Sequence, residues 1–153
     1  MRILALDLGT KTGWALYDNG VLTSGTWTLA SDKQIATFRS TPFYCDSRAM
    51  QLRVHIESFH PAPDYIFYED VLFAKTRVQA QLWGGFRAIV SLFCPPSKLR
   101  GVAIQIIKKF GTGSGAATKE MMIAALPPEV RTTDDNQADA YHLLRFAMKE
   151  LCL

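Results

Sequence analysis

Residues 2–6 form an apolar run that stops on an acid, Asp7, and two more strand-like segments follow within the next 21 positions. A run apolar at every position reads as a strand covered on both faces. Residues 13–17 (GWALY) and Val21–Thr28 are the next two strands, and Asp18-Asn19-Gly20 between them carries an Asn-Gly pair, a strong signal for a two-residue hairpin. Three strands joined by short turns make an antiparallel meander. That arrangement argues against a doubly wound nucleotide-binding fold, where a crossover helix must follow the first strand.

Helical spacing replaces this pattern over residues 32–59, with Ile35, Phe38, Leu52, Ile56 and Phe59 apolar and Pro42 as an interruption. After His60-Pro61-Ala62-Pro63 comes a short apolar strand, residues 65–68 (YIFY), which again ends in acids, Glu69-Asp70. Residues 76–93 read as a helix closed by Pro95-Pro96, and its Gly84-Gly85 pair, costly in a helix, suggests close packing against a neighbour. A fifth strand at 99–104, a short basic helix at 105–110, a flexible loop at 111–115 (GTGSG) and a helix at 117–126 follow. The last helix spans 135–151, with an apolar stripe of Ala140, Leu143, Leu144, Ala147 and Leu151. The expectation is an α/β chain of a single domain, residues 1–153: a mixed five-stranded sheet, a three-strand antiparallel meander plus two parallel strands, flanked by helices.

Asp7 and Glu69 end the two most apolar strands, so central, parallel strands would bring both acids to one rim of the sheet. Asp135 and Asp139 stand four apart at the start of the last helix, hence on one helical face. Asp134 and Asp135 also suit a helix N-terminus, and Glu69-Asp70 could merely mark a strand reaching solvent. Asp139 is harder to dismiss, because it lies a turn inside the helix beside the apolar stripe, where an unpaired acid is costly. Four clustered carboxylates repel unless a cation compensates them, and hard oxygen donors suit Mg²⁺ or Mn²⁺. Two such ions can clamp the attacking and leaving oxygens of a phosphodiester, with water as nucleophile.

Composition narrows the alternatives. With 48% hydrophobic and 20% charged residues the chain is expected to fold rather than stay disordered. Three cysteines (Cys45, Cys94, Cys152) without metal-ligand spacing argue against a zinc site or disulfide framework and for a reducing cytoplasm. The acid at position 7 argues against a signal peptide, and the longest apolar stretch, 88–94, is too short to cross a bilayer. A net charge of +3 permits a polyanionic partner without requiring one.

Four segments together resemble the RuvC family of Holliday-junction resolvases, particularly its divergent phage-type members: LALDLGTKTGWAL, DYIFYEDVLFAKT, IIKKFGTGSGAATKEMM and DDNQADAYHLL. They stand in the family's order and spacing over nearly the whole chain. The first is shared with actin-like ATPases and YqgF-type RNA nucleases; the Glu69 and GSGAATK segments discriminate. The resemblance implies an RNase H-like fold, a homodimer, and Mg²⁺-dependent paired nicking of four-way DNA junctions, with two ions per site and Mn²⁺ able to substitute. Asp7, Glu69 and Asp139 match the family's first, second and last acids. The family's third ligand would fall on Asn136; Asp135, sharing a face with Asp139, is taken instead, with Asn136 and Asp134 as alternatives. The cellular members carry an aromatic where Leu72 stands here, and Phe73, one position on, could stack on an unpaired base or could be a core residue.

Lys75, Lys108, Lys109 and Lys119 are candidate DNA contacts, Lys108 and Lys119 resembling the family's phosphate contacts. Symmetric cutting of two strands needs two sites related by a twofold axis, and the helix around residues 79–93, with Trp83, Gly84-Gly85 and Phe86, is a candidate interface. Three other readings compete. A YqgF-like nuclease of precursor ribosomal RNA is disfavoured by the Glu69 strand, and an actin-like ATPase by the lack of room for a second domain. The intact acids argue against a junction-binding protein without catalysis.

Overall fold

The computed structural model describes residues 1–40, 46–71 and 73–153. Five strands form one sheet in the order β3-β2-β1-β4-β5: β1 (Arg2–Asp7), β2 (Lys11–Asp18), β3 (Val21–Thr28), β4 (Tyr65–Asp70) and β5 (Leu99–Ala103). β1 pairs antiparallel with β2 and parallel with β4, and β4 pairs parallel with β5. The expected meander and parallel pair are both present. Asn19 and Gly20 both take positive φ, 49° and 99°, as a tight hairpin between β2 and β3 requires.

Helices cover both faces: α1 (Asp32–Ser40), α2 (Arg48–Glu57), α3 (Arg77–Val90), α4 (Ile104–Thr112), α5 (Lys119–Ala124) and α6 (Asp135–Glu150). Side chains alternate along a strand, so β1 feeds two cores. Ile3 and Ala5 pack with Ile107, Met122, Leu143 and Leu144 on the α4–α6 face. Leu4 and Leu6 pack with Leu52, Ile56, Phe86 and Val90 on the α2–α3 face. This two-sided burial is why residues 3–6 of β1 are all apolar. The same parity turns Asp7 toward α6. In β4, Phe67 belongs to the α6-side core and Ile66 to the other, which puts Glu69 with Asp7 and turns Asp70 toward α3, where Arg87 pairs with it at 3.4 Å.

Several boundaries differ from the sequence expectation. Glu69 and Asp70 lie within β4 rather than beyond it. α4 runs through Gly111 to Thr112 and ends at Gly113 in the left-handed region (φ 83°), so the glycine segment is only partly loop. A Cβ on Gly111 would fall 2.7 Å from Nδ1 of the fully buried His142, which explains the glycine by close approach of α4 to α6. Gly84-Gly85 has no such explanation: a Cβ on Gly84 would meet nothing within 4 Å, and one on Gly85 would make ordinary contact with Ala49 at 3.7 Å. Phe86, expected at a subunit interface, is fully buried in the chain's own core. Pro42, Cys45 and Leu72 lie outside the described residues. Among the described residues no helix is long and apolar enough to cross a membrane.

Candidate active site

β1 and β4 are neighbours, and one residue beyond the Leu6–Tyr68 pair brings Asp7 level with Glu69 on the same face of the sheet, at the strand separation of about 5 Å. The third element is the start of α6, and its approach depends on a glycine. Gly13 is the partner of Asp7 in the β1–β2 register. A Cβ there would fall 1.8 Å from the carbonyl oxygen of Asn136. Only a residue without a side chain lets the first turn of α6 lie over this end of the sheet. Gln137 Nε2 then donates to Ser24 Oγ at 2.9 Å, tying the same turn to β3.

The three acids at the head of α6 have different partners. Asp134 is the N-cap: its Oδ1 accepts from Asn136 N at 2.9 Å and from Asn136 Nδ2 at 3.0 Å. Burial raises its pKa, but these bonds outweigh burial and hold it below the ordinary carboxylate range. Asp135 forms an ion pair with Lys119. Asp139 has a buried Oδ1 with no hydrogen-bond partner. Sequence reading took Asp135 as the third ligand, with Asp134 and Asn136 as alternatives; the capping bonds engage Oδ1 of Asp134, and Asn136 lines the cleft beside Asp7 and Glu69.

Charge repulsion marks the cluster. Burial first, and then the charges of Glu69, Asp139 and Asp135, push the Asp7 carboxyl well above its ordinary range, with Lys119 opposing. Burial and Asp139 raise Glu69 to about 7, against Lys108. Burial raises Asp139 to about 6, with Asp135 adding and Lys108 and Lys119 subtracting. Lys119 is itself raised by the Asp135 carboxylate. Lys108 is fixed by a 2.8 Å bond from Nζ to the Ala117 carbonyl. Two lysines therefore partly balance four acids.

This donor set suits a hard divalent cation. The carboxylates repel one another, and one buried oxygen lacks a partner, which a cation would supply. Among the described residues no three His, Cys, Asp or Glu groups converge tightly enough to enclose an ion as they stand, and Lys119 occupies Asp135. The residues that could hold such an ion are Asp7, Glu69, Asp135 and Asp139.

Asp7 and Glu69 open onto a cleft of about 740 Å³, lined with them by Asn136 on one side and by Thr76, Gln79 and Trp83 on the other. Phe73, 86% exposed, lies in the segment leading from β4 to this wall. Its exposure removes the reading of a core phenylalanine. Lys75 is exposed in the same segment, and Lys109 is exposed on α4. Neither is among the groups that shift the acids. Sequence reading missed Gly13, visible there only as the start of a strand, and Arg48, which lines the cleft from the α2 side.

The solved structure of Thermus thermophilus RuvC superposes with a TM-score of 0.62 at 17% identity, covering 99% of this chain and 96% of that one. The same organism's RuvC in complex with Holliday junction substrate gives 0.63 at 16% identity, over 94% and 90%. The fold is that of RuvC. It is the RNase H-like mixed sheet, three strands antiparallel and two parallel, with helices on its faces. Likeness to RuvC at this identity is a likeness of fold. No protein-family model matches the sequence, and no curated protein matches it significantly.

Proposed function

We propose that this protein is a divalent-metal-dependent endonuclease that resolves four-way junctions and related branched DNA by paired nicking. The observation that carries the reading is the convergence of Asp7, Glu69, Asp135 and Asp139 at one rim of a RuvC-like sheet, with an orphaned buried oxygen on Asp139. Mg²⁺ or Mn²⁺, two per site by the logic of in-line displacement, would supply activation of water and neutralisation of charge on the phosphodiester. The chain's own contribution is positional. Asp7 and Glu69 are fixed by the sheet, Asp139 and Asp135 by the first turns of α6. Lys108 and Lys119 meet the phosphates nearest the acids, while Lys75 and Lys109 extend the basic surface. Phe73 stacks on an unpaired base at the branch point. A homodimer of this single domain would present two such sites to opposed strands. The Holliday junction in the neighbouring RuvC complex supports branched DNA as the substrate class.

The test is to incubate the protein with a four-way junction, a flap, a duplex, single strands and a structured RNA, each with Mg²⁺, Mn²⁺ or EDTA. Cutting confined to branched DNA and abolished by EDTA is the expected result. Equal cutting of all DNA removes the resolvase reading, activity in EDTA removes the metal, and preference for RNA favours a YqgF-like role.

Two further outcomes are expected from the site's charges. Glu69 and Asp139 are raised to about 7 and about 6, so below these values the site holds protons that a cation must expel. Mn²⁺ affinity should rise as pH increases from about 5.5 through about 7.5, with Asp7, itself raised, adding to the rise, and proton release should be seen as a buffer-dependent calorimetric heat. An affinity flat across that window would contradict the assignment of these acids. Lys119 occupies Asp135, so it competes with a cation for that carboxylate. Lys119→Met should tighten Mn²⁺ binding without DNA by about fivefold, the worth of one unit charge near 4 Å in a water-like dielectric. It should also weaken junction binding and lower the salt slope by about one. Unchanged metal affinity would show that the ion pair does not guard the site.

A further inference from the structure

Arg48, the first residue of α2, is 6% exposed. The other buried residues of that helix, Leu52 and Ile56, follow at i+4 and i+8. Arg48 therefore takes a place in the core-facing stripe where an apolar side chain would ordinarily stand. Its Nε donates to both carboxylate oxygens of Asp46 at 2.9 and 3.0 Å, and Nη2 adds a 2.5 Å bond to Oδ2. These bonds draw Asp46 below the usual carboxylate range. Asp46 is itself 36% exposed, and burying the Arg48 charge for such a pair contributes little net stability compared with well-packed apolar groups. The remaining contact is the informative one: Nη1 donates to Thr10 Oγ1 at 2.7 Å.

Thr10 belongs to the turn that follows Asp7. The turn is held from two other directions, by Thr12 Oγ1 donating to the Gly9 carbonyl at 2.7 Å and by Leu29 N donating to the Thr10 carbonyl at 2.8 Å. Arg48 supplies the hold from the α2 side of the sheet, opposite the side on which α6 lies. Asp7, Thr10 and Arg48 all line the same cleft.

We infer that Arg48 is a positioning residue of the site: through Thr10 it fixes the turn after Asp7, and so the direction in which the Asp7 carboxylate is presented. The inference rests on the reading of Asp7 as a ligand in a nuclease site. Burial of a charge is then tolerated for geometry, because a planar guanidinium holds Asp46 through Nε and Nη2 and Thr10 through Nη1 in one fixed fork, whereas a lysine offers a single nitrogen.

The experiment compares the parent with Arg48→Met, Arg48→Lys, Thr10→Val and the Arg48→Met/Thr10→Val double variant. It measures Mn²⁺ affinity by calorimetry, junction affinity, single-turnover cutting and thermal melting. Both Arg48 variants and Thr10→Val should lose about tenfold in Mn²⁺ affinity and about 10- to 100-fold in cutting rate, the usual range for a misplaced ligand. Junction affinity should stay near that of the parent. The double variant should be no worse than the worse single one, as expected when two residues act through one contact. Parental Mn²⁺ affinity in Arg48→Met and Thr10→Val would overturn the inference. So would a loss confined to Arg48→Met that follows a lowered melting temperature while Thr10→Val behaves as the parent. If the parent binds Mn²⁺ but cuts no DNA, the nuclease reading falls and the metal affinities still decide the role of Arg48. If the parent binds no Mn²⁺, both fall.

Discussion

Asp7→Asn should bind a four-way junction as the parent does and cut it at least about a thousandfold more slowly, the equivalent of several kcal/mol of lost metal-assisted stabilisation. The change removes one charge and keeps the shape, so β1 and its pairing with β2 and β4 stay intact. A second effect should run the other way. The Asp7 carboxyl is held well above its ordinary range by burial and by Glu69, Asp139 and Asp135. A carboxyl raised in the folded state penalises the fold once pH exceeds its unfolded value, and the penalty is complete above its folded value. In EDTA at pH 8 the asparagine variant should therefore melt higher than the parent, and saturating Mn²⁺ should narrow or reverse the difference. Junction cutting at the parental rate would remove Asp7 from the site. A lower melting temperature in EDTA would mean that the acids are not in conflict.

Gly13→Ala is expected to do comparable damage without touching any charge. Its Cβ would fall 1.8 Å from the Asn136 carbonyl oxygen, which is backbone and cannot swing aside. Either the first turn of α6 lifts or β2 shifts, and both separate Asp139 from Asp7. Overpacking of this kind costs about 1–3 kcal/mol or more, which for a chain of this size means a melting point lower by roughly 2–12 °C. Cutting should fall by about a hundredfold, since a ligand displaced by ~1 Å suffices for that. Gly25→Ala is the control: its Cβ would press at 3.1 Å on the ring of Trp14, a side chain that can shift. If Gly13→Ala melts and cuts as the parent does, the close approach of α6 is not what assembles the site.

The two strand-borne acids were legible because a doubly covered strand has no polar position to spare. An acid ending such a run stands out, as Asp7 and Glu69 do. The meander was legible from Asn19-Gly20, whose positive φ values follow from residue type. What the sequence concealed is spatial. Gly84-Gly85 looked like a packing device and faces open space or ordinary contact, whereas Gly13, in a strand, and Gly111, expected in a loop, are glycines that a neighbour demands. Propensity registers the cost of a glycine in a helix; it carries nothing about who approaches it. Arg48 was hidden for a related reason, since a charge in an amphipathic helix reads as a solvated face until burial is known. Asp134, Asp135 and Asn136 differ in hydrogen bonds one residue apart, a distinction finer than any periodicity.

The bond between Gln137 and Ser24 joins residues 113 positions apart, and the Gly13–Asn136 approach spans a similar stretch of chain. During synthesis the meander carrying Asp7 leaves the ribosome long before α6 exists. Contacts of such sequence separation close late, because the loop entropy must be spent before they form. A nascent or partly folded chain thus holds Asp7 and Glu69 without Asp139, and its strands form free of the repulsion that the finished site imposes. The geometry at Gly13 makes the assembled cluster of acids the last feature the chain acquires, so that the proposed cutting activity would belong to the finished molecule alone.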